Sequence, residues 1–449
     1  MSEVARNLEN LPIPKTKAKH KPYPAYRDSG IEWLGSVPEE WEVKRFKFAV
    51  QISKNKGDGN DLDMPYLGLE NIESWTGKLI ELETKIEPES NVNIFDRNEV
   101  LFGKLRPYLA KVYLAEQPGI CSTELLVVRE NQIIAHFLKY LFLSHNFINV
   151  VNSLTYGVKM PRASWELIGN LYSVVPPTSD QQTIANFLDK KTAQIDALME
   201  KKQRLIELLK EKRTALISHA VTKGLDPNVK MKDSGVEWLG EVPEGWDAQR
   251  LKFLSRIQTG STPPKSIEEY YDINGTPWIK PDDLEKNEYI IESKEYLTDT
   301  GAQVARLVPE LSSLVCCIGT VGKLGLAGKA LTTNQQINAV IFNDKIQPKF
   351  GFYALKSSES EHNRLSNKNV VQILNADNQK QIFLPCPAIS EQQSISNFLD
   401  KKTAQIDALI EKVRTAIDKL KEYRTALISA AVTGKIDVRG LRKDVPNEI

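Results

Sequence analysis

Cysteine is scarce in this chain of 449 residues: there are four, Cys121, Cys316, Cys317 and Cys386. None belongs to a C-x-x-C pair and two are adjacent, so neither a zinc-ligand spacing nor a disulfide framework is present, and reduced thiols in a cytosolic protein are the expectation. The five histidines, His20, His136, His145, His219 and His362, are scattered without an H-E-x-x-H or other metal spacing. No stretch approaches the ~18 consecutive apolar residues of a transmembrane helix. The N-terminus, MSEVARNLENLPIPKTKAKHKPYP, lacks the apolar run of a secretory signal. The expected location is the cytoplasm, with no membrane partner. An excess of one charge sign is missing too: 59 Lys and Arg face 58 Asp and Glu, a net charge of +1. The strongly basic balance of many nucleic-acid binders is therefore absent, and any such role has to rest on local arrangement.

Catalytic patterns are equally thin. The run IGTVGKLGLAG is no phosphate loop, because Gly319 lies too close to Gly322-Lys323 and no Ser or Thr follows the lysine. There is no G-x-G-x-x-G and no G-x-S-x-G elbow. A nucleotide methyltransferase needs an acidic residue or Asn before Pro-Pro-aromatic, but Pro176-Pro177 and Pro263-Pro264 are followed by Thr178 and Lys265. Asp282, Glu292 and Lys294 fit a loose PD…ExK nuclease pattern, in which two carboxylates hold Mg²⁺ and the lysine orients water. With variable spacing that pattern arises by chance in long chains, and solvated charges are the simpler reading. The expectation is a protein without catalytic residues and without a metal.

What the chain does contain is a repeat. Residues 28–48, DSGIEWLGSVPEEWEVKRFKF, return as DSGVEWLGEVPEGWDAQRLKF at 233–253. Residues 186–226 return at 397–437, with NFLDKKTAQIDAL and RTALIS identical in both copies. The segments between, 49–178 and 254–389, show no evident similarity to each other. The order implies an N-terminal extension (1–27), a first variable domain (28–178), a central helix and spacer (179–232), a second variable domain (233–389) and a C-terminal helix with a tail (390–449).

The repeated long block is rich in Ala, Leu, Lys, Glu, Gln and Arg and free of Pro and Gly until Gly224 and Gly434, which predicts a long helix in each copy. Ser179 or Asp180 and Ser390 are suited to cap the starts. Leu188, Ile195, Lys202, Leu209 and Leu216 recur at seven-residue spacing in the first copy, and Leu399, Ile406, Val413, Leu420 and Leu427 in the second. Such a seam argues for a coiled coil, a mutual antiparallel pair of rods ~60 Å long. The alternative is two independent amphipathic helices, each packed on its own domain.

Both variable regions predict mixed α/β structure: strands over 100–115 and 120–130 then a helix over 136–154, and strands over 313–328 and 335–343 then a helix over 350–365. The fold class is thus α/β (α+β), two mixed domains separated by two long helices in a pseudo-two-fold repeat. Local clusters suit nucleic acid. Lys104, Arg106 and Lys111 surround Tyr108, and Lys159 and Arg162 follow in YGVKMPRASW; cations can contact phosphate and the ring can stack. In the second region Thr262, Lys265, Lys280, Lys323, Asn334, Gln335 and Gln336 lie in polar loops. Asn and Gln can bond adenine bidentately, and Arg or Lys can read guanine.

DSGIEWLG-x-VPEEW, SDQQTIANFLD, SEQQSISNFLD and KKTAQIDAL…KRTALISHAVTKG, with the loops LRPYLAK…GICSTELLVVR and TGSTPP…TVGK…TTNQQINAV, resemble the type I restriction-modification specificity subunit from about Tyr26 to Asp437. The resemblance implies that each variable region is a target-recognition domain reading one half of a bipartite site in double-stranded DNA. It implies that the helices dock two methyltransferase subunits, which carry S-adenosylmethionine and methylate adenine N6, and set the half-site spacing. Motor-nuclease subunits using ATP and Mg²⁺ would complete the complex, leaving this chain without a cofactor of its own. Two readings from other classes stay open here: a coiled-coil adaptor with two protein-binding heads, and a nuclease using Asp282, Glu292 and Lys294.

Overall fold

The computed structural model describes residues 21–60, 63–82, 87–157, 159–285, 288–367 and 371–442; the extension up to residue 20 and the tail beyond residue 442 lie outside them. The chain divides into two compact units, one made of residues 1–205 and 413–449, the other of 206–412. The two long helices are Thr178–Lys223 and Ile389–Val432, and each unit takes part of both. Each helix ends where its first glycine allows it: Gly224 and Gly434 adopt φ of +77° and +74°, the left-handed conformation that closes a helix without a Cβ penalty. At Gly434 a Cβ would also approach the Pro38 ring to 2.4 Å.

In the first unit a four-stranded antiparallel sheet runs in the order Gln51–Ile52, Leu125–Arg129, Val100–Gly103, Val112–Leu114. Helices Ala135–Phe142 and His145–Ser153 cover it, and Phe46, Phe102, Phe142 and Phe147 interlock beneath them. Leu188 and Ile195 of the first long helix and Leu420 and Leu427 of the second join that same core. The second unit repeats the plan with Ser255–Thr259, Ile337–Phe342, Ser313–Cys316 and Leu324–Ala327, adding Tyr289–Ile290 at the edge. Its core draws Ile217 and Val221 from the first long helix and Ile395 and Leu399 from the second. The central sheets match strand for strand. The flanking sheets do not: the order is Lys56–Asp58, Asn91–Phe95, Gly119–Ser122, Tyr66–Leu67 in one unit and Tyr271–Asp272, Tyr296–Leu297, Thr276–Ile279, Thr332–Thr333 in the other.

Several expectations change in detail. The helices expected over 136–154 and 350–365 are each two, Ala135–Phe142 with His145–Ser153 and Pro348–Ser357 with Glu359–Leu365. The stretch 120–130 is divided between Gly119–Ser122 and Leu125–Arg129 in different sheets. The strand stretch expected over 100–115 is two strands, Val100–Gly103 and Val112–Leu114, joined by a loop with a single 3₁₀ turn at Pro107–Leu109. Pro107 removes a ladder donor, and Arg106 and Ala110 on either side sit at φ of +51° and +45°, which turns the chain back. Along the helical seam Leu188, Ile195, Leu209, Leu399, Val413, Leu420 and Leu427 are buried, and Leu216 and Ile406 half-buried. Lys202 is buried there as well, and burial lowers its ammonium pKa.

The identical helix block is explained by what it holds. Asp189 accepts from the Tyr140 hydroxyl at 2.6 Å and from Lys139 at 2.9 Å. At the repeat-equivalent place Asp400 accepts from the Tyr353 hydroxyl at 2.8 Å and from Lys349 at 2.6 Å. The Gln181 amide donates to the Pro176 carbonyl and accepts from the Ile134 N–H, both at 2.8 Å. Gln392 does the same with Pro387 and the Gln347 N–H. Trp41 Nε1 donates to Asp180, and Trp246 Nε1 to Glu391. In both units the first turns of a long helix are thus bolted to a variable domain by one set of contacts.

Burial opposes ionisation of Asp189, but the Tyr140 hydroxyl and the Lys139 ammonium outweigh it and hold the carboxyl below its usual range. A depressed carboxylate stabilises the fold above its unfolded pKa and loses that contribution as pH falls through the folded value. Asp189→Ala is expected to cost about 1–2 kcal/mol, since Tyr140 keeps Thr192 as a partner. The deficit should shrink as urea denaturation is repeated at pH falling below 4, and a deficit constant with pH would reject the assignment.

Candidate nucleic-acid interface

In the first domain the fold brings together two loops far apart in sequence. The Lys104 N–H donates to the Glu124 carbonyl at 3.0 Å, the Ala163 N–H to the Lys104 carbonyl at 2.9 Å, and the Arg106 N–H to the Pro161 carbonyl at 2.8 Å. Leu105 and Tyr156 both bridge to Arg162. The segments 104–111 and 156–163 therefore form one surface beside Glu124. Arg106 and Lys159 are exposed, Lys104 is half-buried, and the Tyr108 ring is 44% exposed and open to stacking. The left-handed backbone of Arg106 and Ala110 stores about 1–3 kcal/mol of strain per residue, of the kind that collects in recognition loops.

Two cations of this group have protein partners. Arg162 grips Glu124 with both arms, at 2.9 and 3.3 Å. Lys111 points inward, donating to the carbonyls of Leu69 at 2.7 Å and Ile72 at 2.8 Å, and burial lowers its pKa. Its ammonium ties the 3₁₀ turn Leu69–Asn71 to the loop.

The second domain gathers three polar segments. The Ser261 N–H donates to the Thr333 carbonyl and the Gly260 N–H to the Ile337 carbonyl, both at 3.0 Å, and Asn334 N–H to the Ile279 carbonyl at 3.0 Å. Trp278 Nε1 donates to the Ser261 carbonyl at 3.1 Å. Gly260 is required for this approach, because a Cβ there would lie 2.2 Å from the Thr333 carbonyl oxygen. Exposed Thr262 donates to exposed Gln335 at 2.5 Å, with Lys265 exposed nearby in the chain. Asn334 is buried and orders its own loop: its side chain donates to Gln336 Oε1 at 2.9 Å and accepts from the Gln336 N–H at 3.0 Å. Lys280 pairs with Glu295 and lies 4.6 Å from the Trp278 ring centroid.

Lys323 closes a loop whose Cys317 N–H reaches the Gln336 carbonyl at 2.7 Å and whose Gly319 N–H reaches Gln372 at 2.9 Å. That junction stands where the first domain joins 104–111 to 156–163, with different residues in it.

Residues that sequence reasoning passed over complete both surfaces. Glu124 is the counter-charge of Arg162. Arg306, at φ +66°, is held by its carbonyl to Gln258 at 3.2 Å, beside exposed Val304 and Leu307. No motif marks either; both depend on tertiary contact. Asp282, Glu292 and Lys294 are exposed, while Asp283 is the carboxylate engaged locally, accepting from the Lys280 N–H and Ser293. Among the described residues no group of three or more His, Cys, Asp or Glu side chains could hold a metal ion. Burial pushes the Cys121 and Cys317 thiols up to about 12, away from nucleophilic thiolates. Among the described residues no helix is long and apolar enough to cross a membrane.

The model of the type I restriction modification DNA specificity domain matches the chain twice, over residues 38–208 and 243–419. The MjaVIII specificity subunit of Methanocaldococcus jannaschii, a type I restriction enzyme component, is 25% identical over 425 residues, covering 90% of this chain and 95% of that protein. The HindI specificity subunit of Haemophilus influenzae is 37% identical over 117 residues, 26% of this chain and 25% of its own length. Among solved structures, a chain from work on complex assembly and conformational transition of the type I R-M system gives a TM-score of 0.73 at 19% identity, covering 88% of this chain and 98% of that one. The HsdS subunit from Thermoanaerobacter tengcongensis gives 0.53 at 19% identity, covering 89% and 98%. At such identity these likenesses speak for the fold.

Proposed function

Since this chain belongs to the type I restriction-modification DNA specificity family, we propose that it is the DNA-recognition subunit of such a complex, each variable domain reading one half of a bipartite, asymmetric site. The observation that carries the reading is the contrast inside the repeat. The central sheets and the bolts to the long helices recur, while the loop clusters around Lys104, Arg106 and Tyr108 and around Thr262, Lys265 and Gln335 are built from different segments of the two domains. One scaffold presenting two unlike surfaces is what a two-part target requires. The long helices pair antiparallel, set the spacing of the half-sites and dock two methyltransferase subunits. Those supply S-adenosylmethionine chemistry, motor-nuclease subunits supply ATP-driven cleavage, and the complex works in the cytoplasm. This chain's own residues bind and orient DNA.

The near-neutral charge fits a subunit whose partners share the phosphate contacts. Arg162 and Lys280 keep carboxylate partners in the free protein, so DNA has to compete with Glu124 and Glu295 for them. Such competition suits discrimination between sequences better than bulk affinity.

Selecting random duplexes with the assembled methyltransferase should enrich two unlike defined segments separated by an undefined gap. One contiguous motif, or no enrichment, would contradict the reading. In the same assembly, Lys104→Ala with Arg106→Ala should weaken binding across all sequences and flatten the log–log salt slope by roughly one unit per lost phosphate contact. A loss confined to one base position would make them base readers, at ~1–3 kcal/mol each. Unchanged affinity would remove them from the interface.

A further inference from the structure

Phe48 and Phe253 occupy the same position in the two entry blocks, and they are 60% and 56% exposed. The same groups recur around each. In the first unit Arg45 lies 5.4 Å from the Tyr172 ring centroid and Lys47 5.4 Å from that of Phe48. In the second, Arg250 lies 5.2 Å from Phe383 and Lys252 4.7 Å from Phe253. A two-stranded sheet in each unit fixes the arrangement, pairing Arg45 with Tyr172 in one and Arg250 with Phe383 in the other. In the first unit Lys44, Arg45, Phe48, Gln132 and Tyr172 line an open depression of about 520 Å³.

The retention is selective. Between 28–48 and 233–253, seven of the 21 positions differ. One of them is a core position, where fully buried Phe46 becomes fully buried Leu251. Across the small sheet Ser173, Val174 and Val175 become Leu384, Pro385 and Cys386. Yet the exposed Phe and both cations are unchanged, and position 172 stays aromatic at 383. Solvent-facing Phe contributes little to folding and works against solubility. Only one of the seven differences is buried and three fall on exposed positions, so the exposed Phe and its two cations are kept while the surface around them changes, which marks contact with something that meets both copies.

The two recognition surfaces differ, so the shared contact is not a base sequence. A duplex backbone would explain the cations but gives no use to an exposed Phe, since backbone contacts come from charged and polar groups. Protein interfaces concentrate binding energy where an aromatic ring and an arginine lie together. Cation–π contacts hold these rings in place before a partner arrives.

We propose that the platforms built from Arg45, Lys47, Phe48 and Tyr172, and from Arg250, Lys252, Phe253 and Phe383, each dock one copy of the same protein subunit, which presents an apolar pocket rimmed by carboxylates. The proposal rests on the functional reading above, in which two methyltransferase subunits join this chain. It adds a contact at each domain entry to those made by the helices.

The test is to co-express the full chain with its methyltransferase subunit and count the subunits bound by native mass spectrometry. The wild-type chain should carry two, Phe48→Asp one, Phe253→Asp one, and the double variant none, each with an unchanged thermal midpoint of the free chain. Should the aspartates lower that midpoint, the milder Phe48→Ala with Phe253→Ala should leave it intact and weaken subunit binding at least tenfold. A double variant that still carries two subunits overturns the proposal. If it does so while losing DNA affinity, the platforms belong to the duplex backbone. A wild-type chain that takes up no subunit contradicts the functional reading itself, and the proposal with it.

Discussion

Replacing Arg424 by alanine should destabilise the first unit by about 3 kcal/mol, the low end for breaking a buried ion pair. The guanidinium side chain is only 8% exposed. Its Nε donates to Asp196 at 3.0 Å, and its two terminal nitrogens donate to the carbonyls of Trp75 at 2.8 Å and Thr76 at 3.2 Å. One side chain of the second long helix thereby ties the first long helix to a recognition-domain loop. The loop needs the tie, because Trp75 adopts φ +66°, a conformation that costs a bulky residue. Truncation leaves two carbonyls without these donors and a carboxylate that is 13% exposed, relieved in part by Lys78 at 2.8 Å. That relief is why the low end applies. Arg424→Lys restores charge but not the planar fork, so it should recover no more than about half of the loss. Equilibrium urea denaturation reads both variants, and an unchanged midpoint for Arg424→Ala would dismiss the clamp.

The repeat-equivalent pair differs in an informative way. Arg213 donates to Glu288 at 2.7 Å and to Asp407 at 3.3 Å. Burial opposes ionisation of Glu288, but Lys356 and then Arg213 outweigh it and hold the carboxyl below its usual range. With Lys356 remaining and Asp407 half exposed, Arg213→Ala should cost less than Arg424→Ala. The same two repeat positions, an Asp and an Arg, are thus used in both units, while the domain group they reach has diverged.

Exchanging residues 49–178 for the matching region of a relative should change one half of the recognised sequence completely and leave the other half untouched. The central sheet of the first unit lies within or beside that segment, and the second unit contributes none of its strands. A condition comes with the exchange. The bolts cross its boundaries, since Tyr140 and Lys139 belong to the exchanged region and Asp189 and Gln181 do not. Donors that supply a tyrosine at position 140 should assemble, and donors that lack it should lose about 1–2 kcal/mol as Asp189→Ala does. Methylation-site sequencing of the exchanged complex decides: a change in both halves, or in neither, is incompatible with independent domains.

The repeat, the long helices and their limits were legible because they are periodic and end at Gly224 and Gly434. The seam was legible as a spacing, including buried Lys202. The plan of the variable domains was readable as strands followed by a helix, but not the break at Pro107, because Arg106 and Ala110 take left-handed backbones that no residue preference announces. Among the site residues, Arg106, Tyr108, Thr262, Lys265 and Gln335 are exposed. Lys111 and Asn334 turned out to be engaged within the protein. A lysine in a polar loop looks the same whether it faces solvent or caps the carbonyls of Leu69 and Ile72, forty residues away in the chain. The Asp196–Arg424 pair was hidden for the same reason. Both residues sit inside the visible repeat, yet their pairing spans 228 positions.

Mapping modified adenines across the genome of a host with and without this gene, its methyltransferase partner held constant, is the most direct test of the central claim. The account predicts one asymmetric motif, two unlike defined segments with a spacer of fixed length, modified only when the gene is present. An identical methylation map in both strains would contradict it.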